Sequence, residues 1–422
     1  MILSAAIAAV RMITPVPTAV TLASAGDNLI HSPIYKSVRT RDGGYDFTPI
    51  YSEVRDVISS ADVATVNQET PLGEENFSGY PKFCSPRQVG DALAWAGFDV
   101  ISIANNHMLD RGDAGLEYTK NYLSSAVEAV VGYDRETVAV VERGGIKLGF
   151  IAFTYSTNCD GYSDIPRLSE ENVRALCEKA RPMCDVLICS VHFGDEFDSG
   201  EYVGHFEPTD SQKAYAALLA GCGVDIILGS HPHVLQRIEW LECDGHRTIC
   251  AYSLGNFLSN MRYGVQMLGG IFRVCISKQG GKIILYNPEL IPTVCHFTSA
   301  HSGYKIIPLS EYSDAMCRAH GTQDEWNEKP FSMKTLYDYY IGNIPEEFRS
   351  ADIQKVNKPA YMGLNIPNIR RKQENELPNA SPRRSDRYDH EPSLLLRYDD
   401  DDGGKSFHQR FERCRMDKPV GC

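Results

Sequence analysis

The chain has 422 residues, of which 43% are hydrophobic and 23% are charged, a composition that excludes global disorder and allows a large packed core. Its 42 basic and 55 acidic residues give a net charge of −13, which argues against a general nucleic-acid binder but not against an anionic substrate. The length allows two or three domains, or one large α/β domain with additions.

The N-terminus and the cysteines bear on the cellular compartment. The chain begins with the apolar run MILSAAIAAV, which has no basic residue before it and is followed by Arg11. This run is shorter than the roughly 20 apolar residues of a membrane span, so residues 1–19 are interpreted as a leader or a degraded signal segment. The thirteen cysteines include no CxxC pair, and many lie inside apolar runs, which indicates reduced, buried thiols.

Apolar, β-branched runs alternate with segments of helical spacing between residues 20 and 230. The predicted strands are Thr21–Ala25, Asp62–Val66, Asp99–Ala104, Asp185–Val191 and Asp225–Leu228. The predicted helices are Tyr51–Ser59, Val89–Ala96, Ala114–Val127, Glu170–Ala180 and Asp210–Gly221. We expect Asp113 to be the N-cap of the third helix, and Gly221 and Gly223 to end the fifth. The alternation predicts a layered α/β domain with a largely buried sheet.

Three hairpins are predicted beside this alternation. Their strands flank Gly144-Gly145, Asp244-Gly245 and Gly280-Gly281, dipeptides that supply the positive φ of two-residue hairpin turns. The predicted hairpin strands are Val138–Val141 with Lys147–Thr154, Gln236–Leu241 with Thr248–Ser253, and Ile271–Ile276 with Lys282–Tyr286. Together with the strand–helix units they predict a two-sheet α/β sandwich with helices on the outer faces.

The periodic signal weakens after about Pro292. We therefore expect the main domain to span residues 20–292, followed by a C-terminal extension over residues 293–364. Residues 365–422 contain charge runs and few apolar residues, so they cannot bury enough apolar surface to offset the entropy of ordering. This segment is predicted to be a disordered, charged tail.

Each of the five predicted strands ends in polar side chains that can bind a metal. The endings are GDN at residues 26–28, NQE at 67–69, NNH at 105–107, HFGDE at 192–196 and GSHPH at 229–233. Because ligands bind at the carboxyl ends of the strands in open α/β sheets, we expect these side chains to converge. Imidazole, carboxylate and carboxamide groups without thiolate favour Mn, Fe or Zn, and histidines with bridging carboxylates are typical of two-metal hydrolytic sites.

In this order the motifs resemble those of the CapA-type poly-gamma-glutamate capsule-synthesis proteins, which have a calcineurin-like metallophosphatase superfold. The resemblance covers about residues 20–270 and rests on AGDNLI, NQETP, FDVISIANNHMLDRG, HFGDE, GVDIILGSHPHVLQ and YSLGNF. It implies one or two divalent metal ions held by the set Asp27, Glu69, Asn106, His192, His231 and His233. Of these, Asp27 and His233 would bind the first ion, Glu69 would bridge, and the others would bind the second.

The resemblance also implies roles for residues beside the metal. His107 would donate a proton to the leaving oxygen or stabilise charge in the transition state, and Asp110 would orient His107 or cap the following helix. Asn67 and Glu196 are expected to contact substrate or support the site. Asn256 is either a left-handed turn residue, the interpretation we prefer, or a hydrogen-bond donor at the rim.

One departure from the family pattern concerns the first metal. Metallophosphatases usually have Asp-x-His at the first strand end, whereas here the residue two after Asp27 is Leu29. The first site is then weak, mononuclear in practice, or completed by another group. His31, Asp110 and Asp195 are the candidates, and His31 is more readily explained as a loop residue.

The resemblance implies a function in capsule or poly-gamma-glutamate biosynthesis, with metal-bound hydroxide attacking an anionic ester or amide. The alternative is a non-catalytic accessory component that binds polymer or other capsule-synthesis proteins at the cell envelope. The expected partners are therefore an anionic polymer or a phosphoester substrate. A cytoplasmic phosphatase is a third interpretation, because the signal segment is weak and the sequence contains no transmembrane span.

Overall fold

The computed structural model describes residues 19–159, 164–198, 201–202, 206–322, 330–351 and 414–416. The strands are β1 (Ala19–Asn28), β2 (Val63–Gln68), β3 (Leu72–Gly73), β4 (Ser85–Pro86), β5 (Val100–Ser102), β6 (Ala129–Val131), β7 (Ala139–Arg143), β8 (Ile146–Thr154), β9 (Val186–His192), β10 (Phe197–Asp198), β11 (Glu201–Tyr202), β12 (Ile226–Ser230), β13 (Ile238–Cys243), β14 (His246–Ala251), β15 (Asn256–Leu258), β16 (Leu268–Gln279), β17 (Lys282–His296), β18 (Lys305–Pro308) and β19 (Cys414–Met416). The helices are α1 (Ser32–Ser37), α2 (Thr48–Tyr51), α3 (Arg55–Ser59), α4 (Gln88–Ala96), α5 (Gly112–Ala126), α6 (Glu170–Ala180), α7 (Asp210–Gly221), α8 (Asp314–Ala319) and α9 (Met333–Asn343). None of the helices in this described part of the chain is long and apolar enough to span a membrane.

The strands form two large sheets. Sheet I has the order β18-β17-β16-β1-β2-β5-β6, with β15 beside β1, and sheet II has the order β19-β13-β14-β12-β9-β8-β7. Strands β1, β2, β5 and β6 are parallel in sheet I, and β8, β9, β12 and β14 are parallel in sheet II. Antiparallel pairing adds β16, β17 and β18 beside β1 in sheet I, and β13 and β7 on either side of the parallel strands in sheet II. The predicted two-sheet α/β sandwich is confirmed.

The side chains of sheet II alternate between two hydrophobic layers. On β9, Val186 and Ile188 belong to the core shared with sheet I, whereas Leu187, Cys189 and Val191 belong to a second core formed with α6 and α7. This is the period of two expected of a strand that is buried on both faces. The helices therefore cover the outer face of sheet II, as predicted.

On the sheet I side, α4 and α5 contact each other, and their apolar side chains join the core with β2 and β5. Helix α4 buries Val89, Leu93 and Ala96, which are spaced at three and four residues and so share one face. Helix α4 ends at Gly97, whose φ of 103° is the left-handed conformation that closes helices. The predicted helix Val89–Ala96 thus corresponds to α4, and its apolar side chains form this layer.

Four aspartates fix where parallel strands begin. The carboxylates of Asp62, Asp99, Asp185 and Asp225 each precede a strand and accept a hydrogen bond from the first backbone N–H groups of the neighbouring strand, at 2.8, 2.8, 3.0 and 2.7 Å respectively. Backbone N–H groups at a sheet end need such acceptors when they are shielded from water. The aspartate at the start of four of the five predicted strands therefore anchors the start of the neighbouring strand.

The predicted helices and turns are mostly observed. Helices α6 and α7 have the predicted bounds, and Gly223 adopts the expected positive φ of 83° after α7. The three hairpin turns at Gly144-Gly145, Asp244-Gly245 and Gly280-Gly281 all have positive φ at both residues. Two expectations are wrong. The segment predicted as one helix over Tyr51–Ser59 is divided into α2 and α3, and the N-cap of α5 is Arg111, with Asp113 inside its first turn.

Sheet I continues past the predicted domain boundary at residue 292. Strand β17 crosses this position, β18 pairs with it, and the Tyr340 hydroxyl of α9 donates a hydrogen bond to the Leu290 carbonyl at 2.9 Å. Part of the segment predicted as an extension is thus integral to the sandwich.

Residues 1–18 and most of the predicted disordered tail lie outside the described residues, although Cys414–Met416 form β19 against β13. Cys84, Cys177, Cys189, Cys243, Cys250 and Cys295 are buried thiols that form no disulfide among the described residues.

We expect Asp225→Ala to destabilise the fold by about 2–3 kcal/mol, because it removes the acceptor for the buried Leu187 N–H and for the Arg181 guanidinium at 2.6 Å. Glu242→Ala on β13, where the side chain is 53% exposed, should change stability by less than about 0.5 kcal/mol. Urea unfolding followed by circular dichroism measures both. Equal losses for the two variants would contradict the anchoring function of Asp225.

Candidate metal centre

The carboxyl ends of the parallel strands of both sheets meet at one place. Asp27 lies beside Asn67 in the β1–β2 pairing, and His192 lies beside Ser230 in the β9–β12 pairing. The two sheets are joined here, because Asp27 Oδ2 accepts a hydrogen bond from the backbone N–H of His231 at 3.1 Å. The predicted convergence of the strand-end side chains is therefore observed.

Two glycines permit this close approach. A Cβ at residue 26, just before Asp27, would lie 2.0 Å from the Gly255 carbonyl oxygen. A Cβ at residue 229, just before Ser230, would lie 2.0 Å from the Tyr252 carbonyl oxygen. Only glycine fits at both positions, so the glycine in each strand-end motif is explained by backbone packing.

Asp27 is fully buried and held by several groups. Its Oδ1 accepts a hydrogen bond from Asn67 Nδ2 at 2.7 Å, and its Oδ2 lies 3.3 Å from His233 Nδ1. Asn67 is in turn within 3.4 Å of both His192 Nδ1 and the Asn105 side chain. Asn67 therefore supports Asp27 and belongs among the residues that orient the site.

Glu69 is fully buried, and neither carboxylate oxygen has a hydrogen-bond partner among the described residues. Its Oε1 lies 3.8 Å from His192 Nε2 and 3.7 Å from His233 Nε2. Burial raises the pKa of Glu69 well above its usual value, and the neighbouring Asp27 raises it further. An unpaired buried carboxylate is costly, which makes Glu69 the group in the site that most requires a cation.

His192 faces the centre through Nε2. Its Nδ1 forms a hydrogen bond with Ser230 Oγ at 2.9 Å, and its Nε2 lies 3.0 Å from Asn106 Oδ1. Burial lowers the pKa of His192 well below its usual value, and the nearby His231 and His233 rings lower it further. A neutral imidazole fixed at one nitrogen by a partner is the form that coordinates a metal through the other nitrogen.

His231 and His233 project from a strained loop. Both have positive φ, 104° and 56°, which costs of order 1–3 kcal/mol for a residue other than glycine. His233 Nδ1 lies 2.9 Å from Asn256 Oδ1, while its Nε2 lies near Glu69 and Glu196. Burial alone would lower the pKa of His233, but the surrounding carboxylates raise it to about 10.

These donors fit a divalent cation. Two groups of three have ligand atoms that all lie within 4.8 Å of one another: Asp27, Glu69 and His233, and Glu196, His231 and His233. Both oxygens of Glu69 and Nδ1 of His231 are buried without a hydrogen-bond partner in the described part of the chain. Oxygen and imidazole donors without thiolate are typical of Mn, Fe or Zn centres.

His107 lies beside this cluster and is fixed by Asp110. His107 Nδ1 is 2.8 Å from Asp110 Oδ2, which also accepts a hydrogen bond from the Phe83 N–H at 2.7 Å. The Phe83 ring packs edge-on against the imidazole at 4.7 Å. Asp110 therefore orients His107, which was one of its two expected functions.

Other sequence expectations have different outcomes. His31 belongs to neither donor group. Its Nδ1 accepts a hydrogen bond from the Asn260 N–H at 3.2 Å. Asp195 is exposed and is absent from both groups. The preferred interpretation of Asn256 as a left-handed turn residue is wrong: the positive φ belongs to Gly255, and Asn256 is a buried residue of β15 that contacts His233.

Sequence reasoning missed several residues around the centre. Ser230 fixes His192, and the Tyr155 ring, which is 38% exposed, packs 4.6 Å from His231. Asn158 Nδ2 lies 3.1 Å from His107 Nδ1. Tyr155 and Asn158 follow β8, whose end carries no metal-binding motif, so only their proximity in the fold could identify them.

Comparison with known proteins gives a family and several relatives. Residues 21–261, more than half of the chain, match the family model described as "Bacterial capsule synthesis protein PGA_cap". The "Capsule biosynthesis protein CapA" of Bacillus anthracis is 26% identical over 50% of this chain and 53% of its own length. The "PGA biosynthesis protein CapA" of Bacillus subtilis is 25% identical over 50% of this chain and 56% of its own length. The chain thus spans about half the length of the curated relatives that it matches.

A solved structure is also similar. The calcineurin-like phosphoesterase YfkN from Bacillus subtilis is 14% identical, with 65% of this chain and 90% of that chain covered, at a TM-score of 0.41. Similarity at this level is too low to identify a fold. The two-sheet sandwich is therefore established by the strand pairings of this chain itself.

We expect Mn²⁺ to raise the melting temperature of the chelator-treated protein, because a ligand at 100 times its Kd stabilises the native state by about 2.7 kcal/mol. Glu69→Gln should reduce this increase, since the variant lacks the buried anionic donor. Differential scanning calorimetry with and without Mn²⁺ measures the effect. Glu117→Gln on the exposed face of α5 is the control, and an undiminished shift in Glu69→Gln would exclude Glu69 as a ligand.

Proposed function

The chain belongs to the bacterial capsule synthesis family, and on this premise we propose that it is a divalent-metal-dependent hydrolase of capsule or poly-gamma-glutamate biosynthesis. Its substrate would contain an anionic ester or amide. The observation that carries the proposal is the buried cluster in which both Glu69 oxygens and His231 Nδ1 lack hydrogen-bond partners among the described residues. Such a cluster is costly for a protein that only serves as a scaffold.

The residues that would hold one or two ions are Asp27, Glu69, Asn106, His192, His231 and His233. A divalent cation at such a centre lowers the pKa of water and offsets negative charge on the substrate. Ser230 and Asn256 would fix the two imidazoles so that His192 Nε2 and His233 Nε2 face the centre. Ser230 and Asn256 would thus orient the donors, because hydrolysis requires the reacting groups to be positioned to within a fraction of an ångström.

His107 would donate a proton to the leaving group. Asp110 engages Nδ1 and leaves Nε2 as the nitrogen that can donate to the departing oxygen or nitrogen. His107 is adjacent in sequence to Asn106, which contacts His192, so the proton donor and the metal donors are positioned by the same segment. A donor held in this way supports general acid catalysis.

Substrate contacts would come from the segment after β8. Tyr155 covers His231, and Asn158 lies beside His107, so this segment borders both the donor cluster and the proton donor. An aromatic face and an amide suit an extended polar substrate better than a purely apolar one. The net charge of −13 makes a bound cation important for attracting an anionic polymer.

We expect His107→Ala to lower kcat by about 10²–10⁴-fold without loss of bound metal, because it removes the proton donor and no donor atom of the cluster. The double change His231→Ala/His233→Ala should abolish both metal binding and turnover. The assay uses an aryl phosphate, an aryl phosphodiester and a poly-gamma-glutamate chain, each with Mn²⁺, and metal content is measured in parallel.

His246→Gln is the matched control, since this histidine lies in the β13–β14 hairpin, where it contacts the Val224 carbonyl. Its activity should equal that of the wild type. Metal binding by the wild type without hydrolysis of any of the three substrates would contradict the hydrolase proposal. Retention of polymer binding in that case would indicate the accessory function.

A further inference from the structure

Metallophosphatases usually have a histidine two residues after the first strand-end aspartate, and this chain has Leu29 there. The Leu29 side chain is buried, and its backbone N–H donates to the Leu258 carbonyl at 2.8 Å. His31 does not compensate, because it belongs to neither group of ligand atoms that lie within 4.8 Å of one another in the described part of the chain. A replacement donor must therefore come from elsewhere in the fold.

Glu196 lies where such a donor is needed. Its Oε1 is 3.5 Å from His231 Nδ1 and 3.6 Å from His233 Nε2. Metal–ligand bonds of about 2.1 Å at tetrahedral angles place ligand atoms about 3.4 Å apart, so both separations fit coordination of one ion. His231 Nδ1, which is buried, has no hydrogen-bond partner within the described ranges. It is thus an unsatisfied nitrogen beside a carboxylate.

The local fold places Glu196 at this position. After β9 the chain turns at Gly194, whose φ is 104° and where a Cβ would lie 2.7 Å from the Gln212 side chain. Gln212 is buried at the start of α7 and is fixed by Gln236 at 2.8 Å. The turn is therefore held tightly against α7. The next residue, Asp195, is exposed, and Glu196, with a side chain only 15% exposed, faces the imidazoles.

We propose that Glu196 is a metal ligand and that Glu196 Oε1, His231 Nδ1 and His233 Nε2 hold the same divalent cation. This inference rests on the metal centre of the proposed function and changes its ligand set. The resemblance to metallophosphatases implies that the two histidines bind different ions, whereas here Glu196 Oε1 lies within 3.6 Å of a ring nitrogen of each. Glu69 Oε1, 3.7 Å from the same His233 Nε2, is a further donor. The ligand absent at residue 29 is thereby replaced from the strand end of the other sheet.

The experiment is calorimetric titration of the chelator-treated full chain with Mn²⁺. Glu196→Gln should weaken Mn²⁺ binding at this site by at least about 10-fold, because it removes an anionic donor while keeping the side-chain shape. The matched control is Asp195→Asn, which removes the neighbouring exposed charge and should bind Mn²⁺ like the wild type. Equal affinity and stoichiometry in Glu196→Gln and wild type would overturn the proposal.

A second measurement separates a ligand from a structural role. The Co²⁺-loaded protein should change its visible absorption spectrum in Glu196→Asp and Glu196→Gln but not in Asp195→Asn, because only a coordinating residue alters the ligand field. An unchanged spectrum in both Glu196 variants overturns the proposal even if one of them is unstable. The melting temperature of each variant, measured with chelator present, shows whether the variant is folded.

These readouts do not depend on turnover. If Glu196→Gln loses Mn²⁺ affinity while no substrate is hydrolysed by the wild type, the ligand assignment stands and the hydrolase proposal fails. If the wild type hydrolyses substrate and Glu196→Gln binds Mn²⁺ normally, the hydrolase proposal stands and the ligand assignment fails. A wild type that binds no metal overturns both.

Discussion

The buried negative charge of Asp27 and Glu69 is the constraint on which the arrangement of this protein depends. Both carboxylates are removed from water, and Glu69 has no hydrogen-bond donor among the described residues. Taking such charges out of water costs several kcal/mol each unless they are compensated. The structure surrounds them with imidazoles, and His233 contacts both. The glycines before Asp27 and Ser230 and the pairing of the strand ends all serve to bring compensating groups this close.

Neutral side chains around the charged cluster determine its orientation. Asn67 supports Asp27, Ser230 supports His192 and Asn256 supports His233, so the principal donors have polar partners from neighbouring strands. Such partners restrict the rotation of a ligand and determine which nitrogen of an imidazole is free. Asp27 and His192 lie at the ends of β1 and β9, whereas Glu69, Asn106, Glu196, His231 and His233 lie in the segments that follow strand ends.

Much of the fold could be predicted because its signals are local. The Asp-led apolar runs, the Gly-Gly and Asp-Gly turns and the spacing of α6 and α7 each depend on neighbouring residues only. The second half of β17 and the strand β18 that pairs with it were missed because Pro288 and Pro292 interrupt the apolar pattern of β17. Asn256 was misjudged because Gly255 takes the positive φ, and Glu196 was underestimated because its position depends on Gln212. The set of six metal donors follows the family motifs, and their binding of metal stays a prediction.

The hydrogen bond from the His231 N–H to Asp27 Oδ2 crosses from one sheet to the other, so the candidate centre lies on the seam of the sandwich. A cation that binds donors from both sheets would favour the closed seam over any state in which the sheets separate. Thermodynamic linkage makes this effect reciprocal. A change that favours separation of the sheets lowers the affinity for the cation by the same factor. The packing of residues far from the centre, along the shared core, thereby becomes a determinant of how tightly the metal is held.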